Sequence, residues 1–162
     1  MTKTIFVLRH AQSAGKQSGQ QDYDRMLTAQ GEAEARGLGK KLIYSSFQVD
    51  LILASAAARV MQTVGLFNES LQLAPSKIHF KPALYEALME HWQGEIHDLP
   101  EESKKVVIAG HNPSLSMLVS SFAGSMTDLA PCELVGFEFN TDSWKKLKQP
   151  GRKILHIIPT IN

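Results

Sequence analysis

The chain of 162 residues is the size of one ordinary domain; 43% hydrophobic residues supply a core and 20% charged residues a normal soluble surface. A formal net charge of +1 argues against a broad nucleic-acid-binding or membrane-binding face, though not against a small anion pocket. A single cysteine, Cys132, excludes an intrachain disulfide framework and fits a reducing compartment.

Residues 4–8 (TIFVL) are apolar and rich in β-branched side chains, which predicts a buried strand. Its apolar run is shorter than a signal-peptide core of roughly 7–15 residues. No stretch approaches the roughly 20 apolar residues of a membrane span. The expectation is a cytoplasmic enzyme folded as one domain over residues 1–162. Residues 11–26 are polar, with Gly15 and Gly19, and read as a loop.

Thr28 is an expected N-cap, with Glu32 and Glu34 near the positive end of the helix that follows. Ala35, Leu38, Gly39 and Leu42 form its buried side. A strand is expected over 51–54, a helix over 56–73 stopped by Pro75, and a brief strand over 78–80. A helical segment spans about 85–96. Residues 105–109 contain VVIA, a further buried strand. Asn112-Pro113 opens a helix, with Asn as N-cap and Pro in the first helical position. Two late strands, 134–139 and 154–158, lack a long helix between them and so are expected to pair antiparallel. Alternating strands and helices predict an α/β fold, a three-layer sandwich around a mainly parallel central sheet.

In open α/β sheets, ligands bind beyond the carboxyl ends of the strands. Arg9-His10 follows the first strand, Ser55 and then Arg59 the second, and Gly110-His111-Asn112 the VVIA strand. Two imidazoles and two guanidiniums therefore meet at one sheet edge in this topology. That set suits a phosphoryl group. Arginine matches phosphate oxygens with a planar fork, and each charge-assisted bond contributes about 1.5–3 kcal/mol. His111 precedes a helix whose free N–H groups also favour an anion. One histidine can attack phosphorus through a neutral ring nitrogen while a backbone carbonyl holds the other nitrogen. The second can donate to the equatorial oxygens. With these groups in place the chemistry calls for no metal and no cofactor.

Residues 8–13 (LRHAQS) resemble the Arg-His-Gly signature of the histidine phosphatase superfamily, which includes the phosphoglycerate mutases. Asp24-Arg25-Met26-Leu27-Thr28 with Gly31 is similar to the family's D-R-P-L-T-x-x-G. Ser55, Arg59, Gln62 and Thr63 match its S-x-x-x-R-A-x-Q-T. Leu84-Tyr85-Glu86 falls where the family often has an acidic residue. Gly110-His111-Asn112-Pro113 resembles the G-H-N-P of the short, SixA-type phosphohistidine phosphatases. The matches span about residues 4–123. Ala11 departs from the usual Gly, and Met26 from Pro.

The resemblance implies a phosphoglycerate mutase-like fold, with His10 as phosphoryl acceptor and Arg9, Arg59 and His111 as ligands of the phosphoryl oxygens. Glu86 has two readings, a helix-dipole partner or a general acid that protonates a leaving oxygen. Gln12 and Ser13 are placed to line the phosphate pocket, although loop polarity explains them equally well. His79, His91, His97 and His156 show no ligand spacing. Cys132 reads as inert, and Trp92 and Trp144 as packing residues.

The expected activity is dephosphorylation through a covalent phosphohistidine on His10, releasing inorganic phosphate. The leading substrate is phosphohistidine on a signalling or phosphotransfer protein, because long insertions that could build a lid over a metabolite are absent. A small phosphoester with Glu86 as acid is the alternative. A non-catalytic phosphate-binding module is the reading from another class; it would keep the arginines but need no nucleophile.

Overall fold

Alternation along the buried strands decides the layers. A computed structural model describes residues 1–159. Its strands are β1 (Thr2–Arg9), β2 (Leu51–Ser55), β3 (Ile78–Lys81), β4 (Lys105–Gly110), β5 (Leu134–Asn140) and β6 (Arg152–Ile157). Its helices are α1 (Ala29–Ile43), α2 (Ala58–Leu71), α3 (Met89–His97) and α4 (Ser114–Ala123). Ile5 and Val7 of β1, with Val106 and Ile108 of β4, face Trp92 and Ile96 of α3 and Leu118 and Phe122 of α4. Phe6 and Leu8, with Val107 and Ala109, face Leu38 and Leu42 of α1 and Val64 and Phe67 of α2. The sheet lies between two helical layers, as the strand–helix alternation predicts. Each fully buried Leu, Ile or Phe side chain adds about 1.5–3 kcal/mol to the driving force.

The strand order is β3-β2-β4-β1-β5-β6. The first four of these run parallel, β5 lies antiparallel to β1, and β6 antiparallel to β5. The register pairs Arg9 with Gly110 and Ala54 with Ala109. The carboxyl ends of β1, β4 and β2 therefore lie side by side, which brings His10, His111 and Ser55 to one edge. No helix is long and apolar enough to cross a membrane.

Several boundaries differ from the sequence expectation. Helix α2 ends at Leu71, before Pro75, because Gln72 turns into the left-handed region at φ 56°. The Asn68 side chain holds that end: it accepts from Leu73 N–H at 2.9 Å and donates to the Leu73 carbonyl at 3.0 Å. The helix expected from residue 85 starts at Met89, and a 3-10 turn, Pro82–Leu84, precedes Tyr85. Helix α4 starts at Ser114, so Pro113 is not its first residue, and the Asn112–Pro113 peptide is cis. Asn112 still serves that end, since its Oδ1 accepts from Ser116 N–H at 3.2 Å. Strand β6 begins at Arg152, two residues before the expected start. The Thr28 cap is present, its hydroxyl accepting from Gly31 N–H at 3.0 Å.

Candidate active site

His10 sits just past the end of β1 and is buried. Its Nδ1 lies 2.7 Å from the carbonyl oxygen of Ala11. A carbonyl only accepts, so Nδ1 carries the proton. Burial first, then the charges of Arg59, Arg9 and Arg25, push the His10 pKa down to about 4, against the raising effect of the Ala11 bond. The ring is therefore neutral near pH 7, with its lone pair on Nε2. That is the tautomer a nucleophile needs. The Ala11 peptide is itself fixed, because its N–H donates to Thr63 Oγ at 3.0 Å. Thr63 in turn donates to the Arg59 carbonyl at 2.7 Å. The methyl group of Ala11, where the family usually has Gly, is fully buried in the core beneath α1 and α2.

His111 follows β4, and its ring centroid is 5.4 Å from that of His10. Its Nε2 is 2.9 Å from the hydroxyl of Ser55, which ends β2. That hydroxyl is fully buried and already accepts from Ala57 N–H at 3.2 Å. Among the described residues, His111 Nε2 is the acceptor in reach of the hydroxyl proton. Ser55 therefore donates to Nε2, and the ring proton of His111 lies on Nδ1. This Nδ1 is buried and has no protein partner. Burial, and then Arg59 and His10, push the His111 pKa down to about 3, so this ring too is neutral. A buried donor without a protein partner, beside a neutral nucleophile, is a group that an oxyanion oxygen can satisfy.

Two guanidiniums supply the fixed positive charge. Arg59, in the first turn of α2, is buried, and its ion 5.8 Å from the Tyr85 ring centroid. Tyr85 packs edge-on against His111 at 5.6 Å. Arg9 donates from Nη1 to the Leu129 carbonyl at 2.8 Å, while its Nε is buried without a partner. Burial lowers the Arg9 pKa, and Asp128 and Glu133 partly restore it. The structure thus gathers His10, His111 and Arg59 through successive ring contacts, and Arg9 bears electrostatically on both histidines.

Other expected residues stand farther out. Glu86 is exposed on the wall of a cleft of about 490 Å³ that opens from Arg59 and His111. Ser13 Oγ accepts from Arg25 Nη2 at 2.7 Å, so it serves the loop through Arg25. Gln12 accepts from the Thr28 hydroxyl at 2.7 Å. The first N–H groups of α4 are less available to an anion than expected: Leu115 donates to the His111 carbonyl at 3.1 Å and Ser116 to Asn112. Cys132 is buried, and burial pushes its thiol up to about 12. The Trp92 and Trp144 rings are core residues. Among the described residues, no group of three or more His, Cys, Asp or Glu side chains is placed to hold a metal ion.

Asp22 is the residue that sequence reasoning missed. It accepts from Arg59 twice, through its carbonyl at 2.8 Å and its Oδ2 at 3.2 Å. Arg25 Nη1 donates to its Oδ1 at 2.9 Å, and the Tyr85 hydroxyl donates to Oδ2. The Tyr85 bond first, then Arg25 and Arg59, hold the carboxyl down at about 2, so Asp22 is charged at neutral pH. Asp22 fixes one edge of the Arg59 guanidinium and leaves its other donors for a ligand. Arg25 secures the loop beneath it, donating from Nε to the Ala14 carbonyl at 2.9 Å. The family-like Gln62 accepts from Leu27 N–H at 2.8 Å and donates to Glu32 at 2.9 Å, which ties the same loop to α1. Gly31 lets α1 approach, since a Cβ there would lie 2.1 Å from the Gln12 carbonyl oxygen. The sequence signal for Asp22 was its place two residues before the Asp24-Arg25 pair, in a loop whose polarity concealed it.

Comparison with known proteins agrees with this layout. An uncharacterised chloroplast protein of Arabidopsis thaliana is 28% identical over 93% of this chain and 74% of its own length. An uncharacterised protein of Mycobacterium tuberculosis is 32% identical over 89% of this chain and 88% of its own. Among solved structures, a protein from Agrobacterium tumefaciens named for the phosphohistidine phosphatase SixA superposes with a TM-score of 0.84. It is 24% identical and covers 97% of this chain and 98% of its own. The protein histidine phosphatase SixA complexed with tungstate gives a TM-score of 0.81 at 21% identity, covering 96% of this chain and 97% of its own. These structural likenesses establish the fold. The model of the histidine phosphatase superfamily, branch 1, matches residues 5–113. That match takes in the histidine pair and both arginines over more than half of the sequence, and the chain belongs to this superfamily of phosphatases.

Proposed function

We propose that the protein removes phosphoryl groups through a covalent intermediate on His10, and that its substrate is phosphohistidine on a protein. The observation that carries this reading is the pairing of two neutral imidazoles. His10 presents a lone pair at Nε2, because Ala11 holds the Nδ1 proton. His111 presents an unpartnered N–H, because Ser55 occupies its other nitrogen. Arg9 and Arg59 supply two fixed positive charges, which match a phosphoryl dianion.

In the first step the His10 Nε2 lone pair forms a bond to phosphorus as the bond to the leaving nitrogen breaks; that nitrogen keeps the electron pair, and because the other nitrogen of the substrate ring carries a proton, a neutral imidazole departs. His111 Nδ1–H and the guanidinium donors bind the equatorial oxygens as charge spreads over them. In the second step water attacks phosphorus, the His10–phosphorus bond breaks, and phosphate leaves with the water's oxygen. The Nε2 lone pair returns, with the Nδ1 proton held throughout by Ala11.

A protein substrate is supported by access. Only residues 56–57 separate β2 from α2, and residues 111–113 separate β4 from α4. The longer loop ahead of α1 is tied down by Arg25 and Gln62. An imidazole is also a good leaving group, which needs little acid assistance. The second reading is a small phosphoester, favoured by the place of Glu86 on the wall of the same cleft. A Glu86→Gln variant separates the two. A large loss on phosphoesters with little loss on phosphohistidine protein favours the protein substrate. The reading as a whole is tested with His10→Ala, which should release no phosphate from any substrate above background.

A further inference from the structure

Beyond Arg59 and His111, the cleft of about 490 Å³ changes character. Its outer walls are Leu88, Met89, Pro113 and Met117, with the carboxylates Glu86 and Glu90. Leu88 and Met117 are 62% and 52% exposed, unusual for side chains of their size. Among the described residues, neither the Glu86 nor the Glu90 carboxylate has an ion pair or a side-chain hydrogen bond. Arg59 is the one cation among the residues that line the cleft, and it lies at the inner, phosphoryl-binding end. The inner end also holds the buried His111 with its unpartnered Nδ1. A group bound there through its oxyanion would extend its remaining atoms along the acidic, apolar walls.

We infer that this cleft receives the leaving-group side of the substrate and selects a polypeptide segment in which the phosphohistidine is flanked by basic and apolar side chains. The inference rests on the phosphatase reading above and deepens it. A second anion on the leaving group, as in a phosphorylated carboxylic acid, would meet two carboxylates and no free cation. Basic side chains would meet opposite charge, and apolar ones would cover Leu88 and Met117. Complementary charge at a cleft mouth acts mainly on encounter, and so on kcat/KM, and it weakens as salt screens it.

Two synthetic phosphohistidine peptides of equal length and equal apolar content provide the test, one with Lys and Arg flanks and one with Glu and Asp flanks. At low ionic strength the expected ratio of kcat/KM, basic over acidic, is at least about tenfold. It should shrink on adding salt. Glu90→Lys should reduce the ratio or reverse it, and Glu90→Gln should fall between; thermal melts of both variants verify folding. Leu88→Ser should raise KM for both peptides alike. Equal turnover of the two peptides, or a ratio that Glu90→Lys leaves intact, overturns the inference. So does hydrolysis of small phosphoesters with neither peptide turned over, an outcome that leaves the phosphatase reading standing. No phosphate release from any of these compounds, or release by His10→Ala at the parental rate, refutes the phosphatase reading itself.

Discussion

Replacing Ser55 by alanine tests whether the tautomer of His111 matters. The hydroxyl is fully buried, 2.9 Å from His111 Nε2 and 3.2 Å from Ala57 N–H. Removing it leaves Nε2 without its donor and Ala57 without its acceptor. Each unpaired buried group costs about 1–3 kcal/mol. The Ser55→Ala protein should therefore be less stable by a few kcal/mol, about 2–6 in total if water fails to fill the gap. The larger consequence is chemical. Without Ser55 the imidazole proton moves freely between nitrogens, and the donor aimed at the phosphoryl group is no longer assured. Losing one charge-assisted bond in the transition state, about 1.5–3 kcal/mol, lowers kcat/KM roughly ten- to hundredfold. The assay pairs kcat/KM on a phosphohistidine protein with nitrogen NMR of the His111 ring. The parent should show the proton on Nδ1 and the variant a mixture of tautomers. If the variant keeps kcat/KM within about twofold while its tautomer changes, the reasoning fails.

Three further outcomes follow from the same geometry. Asp22→Asn removes the charge that Arg59, Arg25 and Tyr85 share. Because the carboxylate side chain is 42% exposed, solvent screening keeps the effect near tenfold in KM, with the backbone bond to Arg59 retained; an unchanged KM would contradict the positioning role. His10 and His111 have folded pKa values of about 4 and about 3, below the ordinary 6.5. The unfolded chain binds protons that the folded one does not, so stability is fully present above pH 6.5 and declines as pH falls toward 4 and then 3. Denaturant titrations between pH 7 and 4 should lose at least about 2 kcal/mol, less in a His10→Asn, His111→Asn protein; a flat profile would refute buried neutral histidines. Gly31→Ala would set a Cβ 2.1 Å from the Gln12 carbonyl oxygen and should cost about 2–3 kcal/mol, seen as a lower Tm; an unaltered Tm would show that α1 can shift away.

The elements were legible where physics is local. The β-branched runs at residues 4–8 and 106–109 are buried on both faces and lie in β1 and β4. Thr28 caps α1 as its hydroxyl chemistry dictates. The helix ends were less legible. Pro75 is a visible stop, but Asn68 and the left-handed Gln72 end α2 sooner, by a side-chain bond that propensity does not encode. At Asn112-Pro113 the order of residues suited a cap followed by a first helical proline. Contacts of Asn112 with Ser116 and Leu129 instead move the helix start to Ser114.

The same division holds in the site. His10 and His111 were visible because they follow strand ends, Arg9 because it closes β1 and Arg59 because it lies in the first turn after β2; parallel strands bring such positions together. Asp22 was not, because its value lies in contacts with Arg59 and Tyr85, 37 and 63 residues away. Ser55 was visible as a strand end, but its effect on the His111 proton required the distances. Met26, where the family pattern has proline, is exposed, and the loop it sits in is secured by Arg25 and Gln62.

In the proposed mechanism phosphorus bonds to Nε2 of His10 during turnover. Rapid quenching of the protein with a phosphohistidine protein carrying labelled phosphate, followed by peptide mapping at alkaline pH, reads this directly. A transient label is expected on the peptide containing His10, attached at Nε2 and absent from His10→Ala. Label on another residue, or phosphate release by His10→Ala at the parental rate, would contradict it.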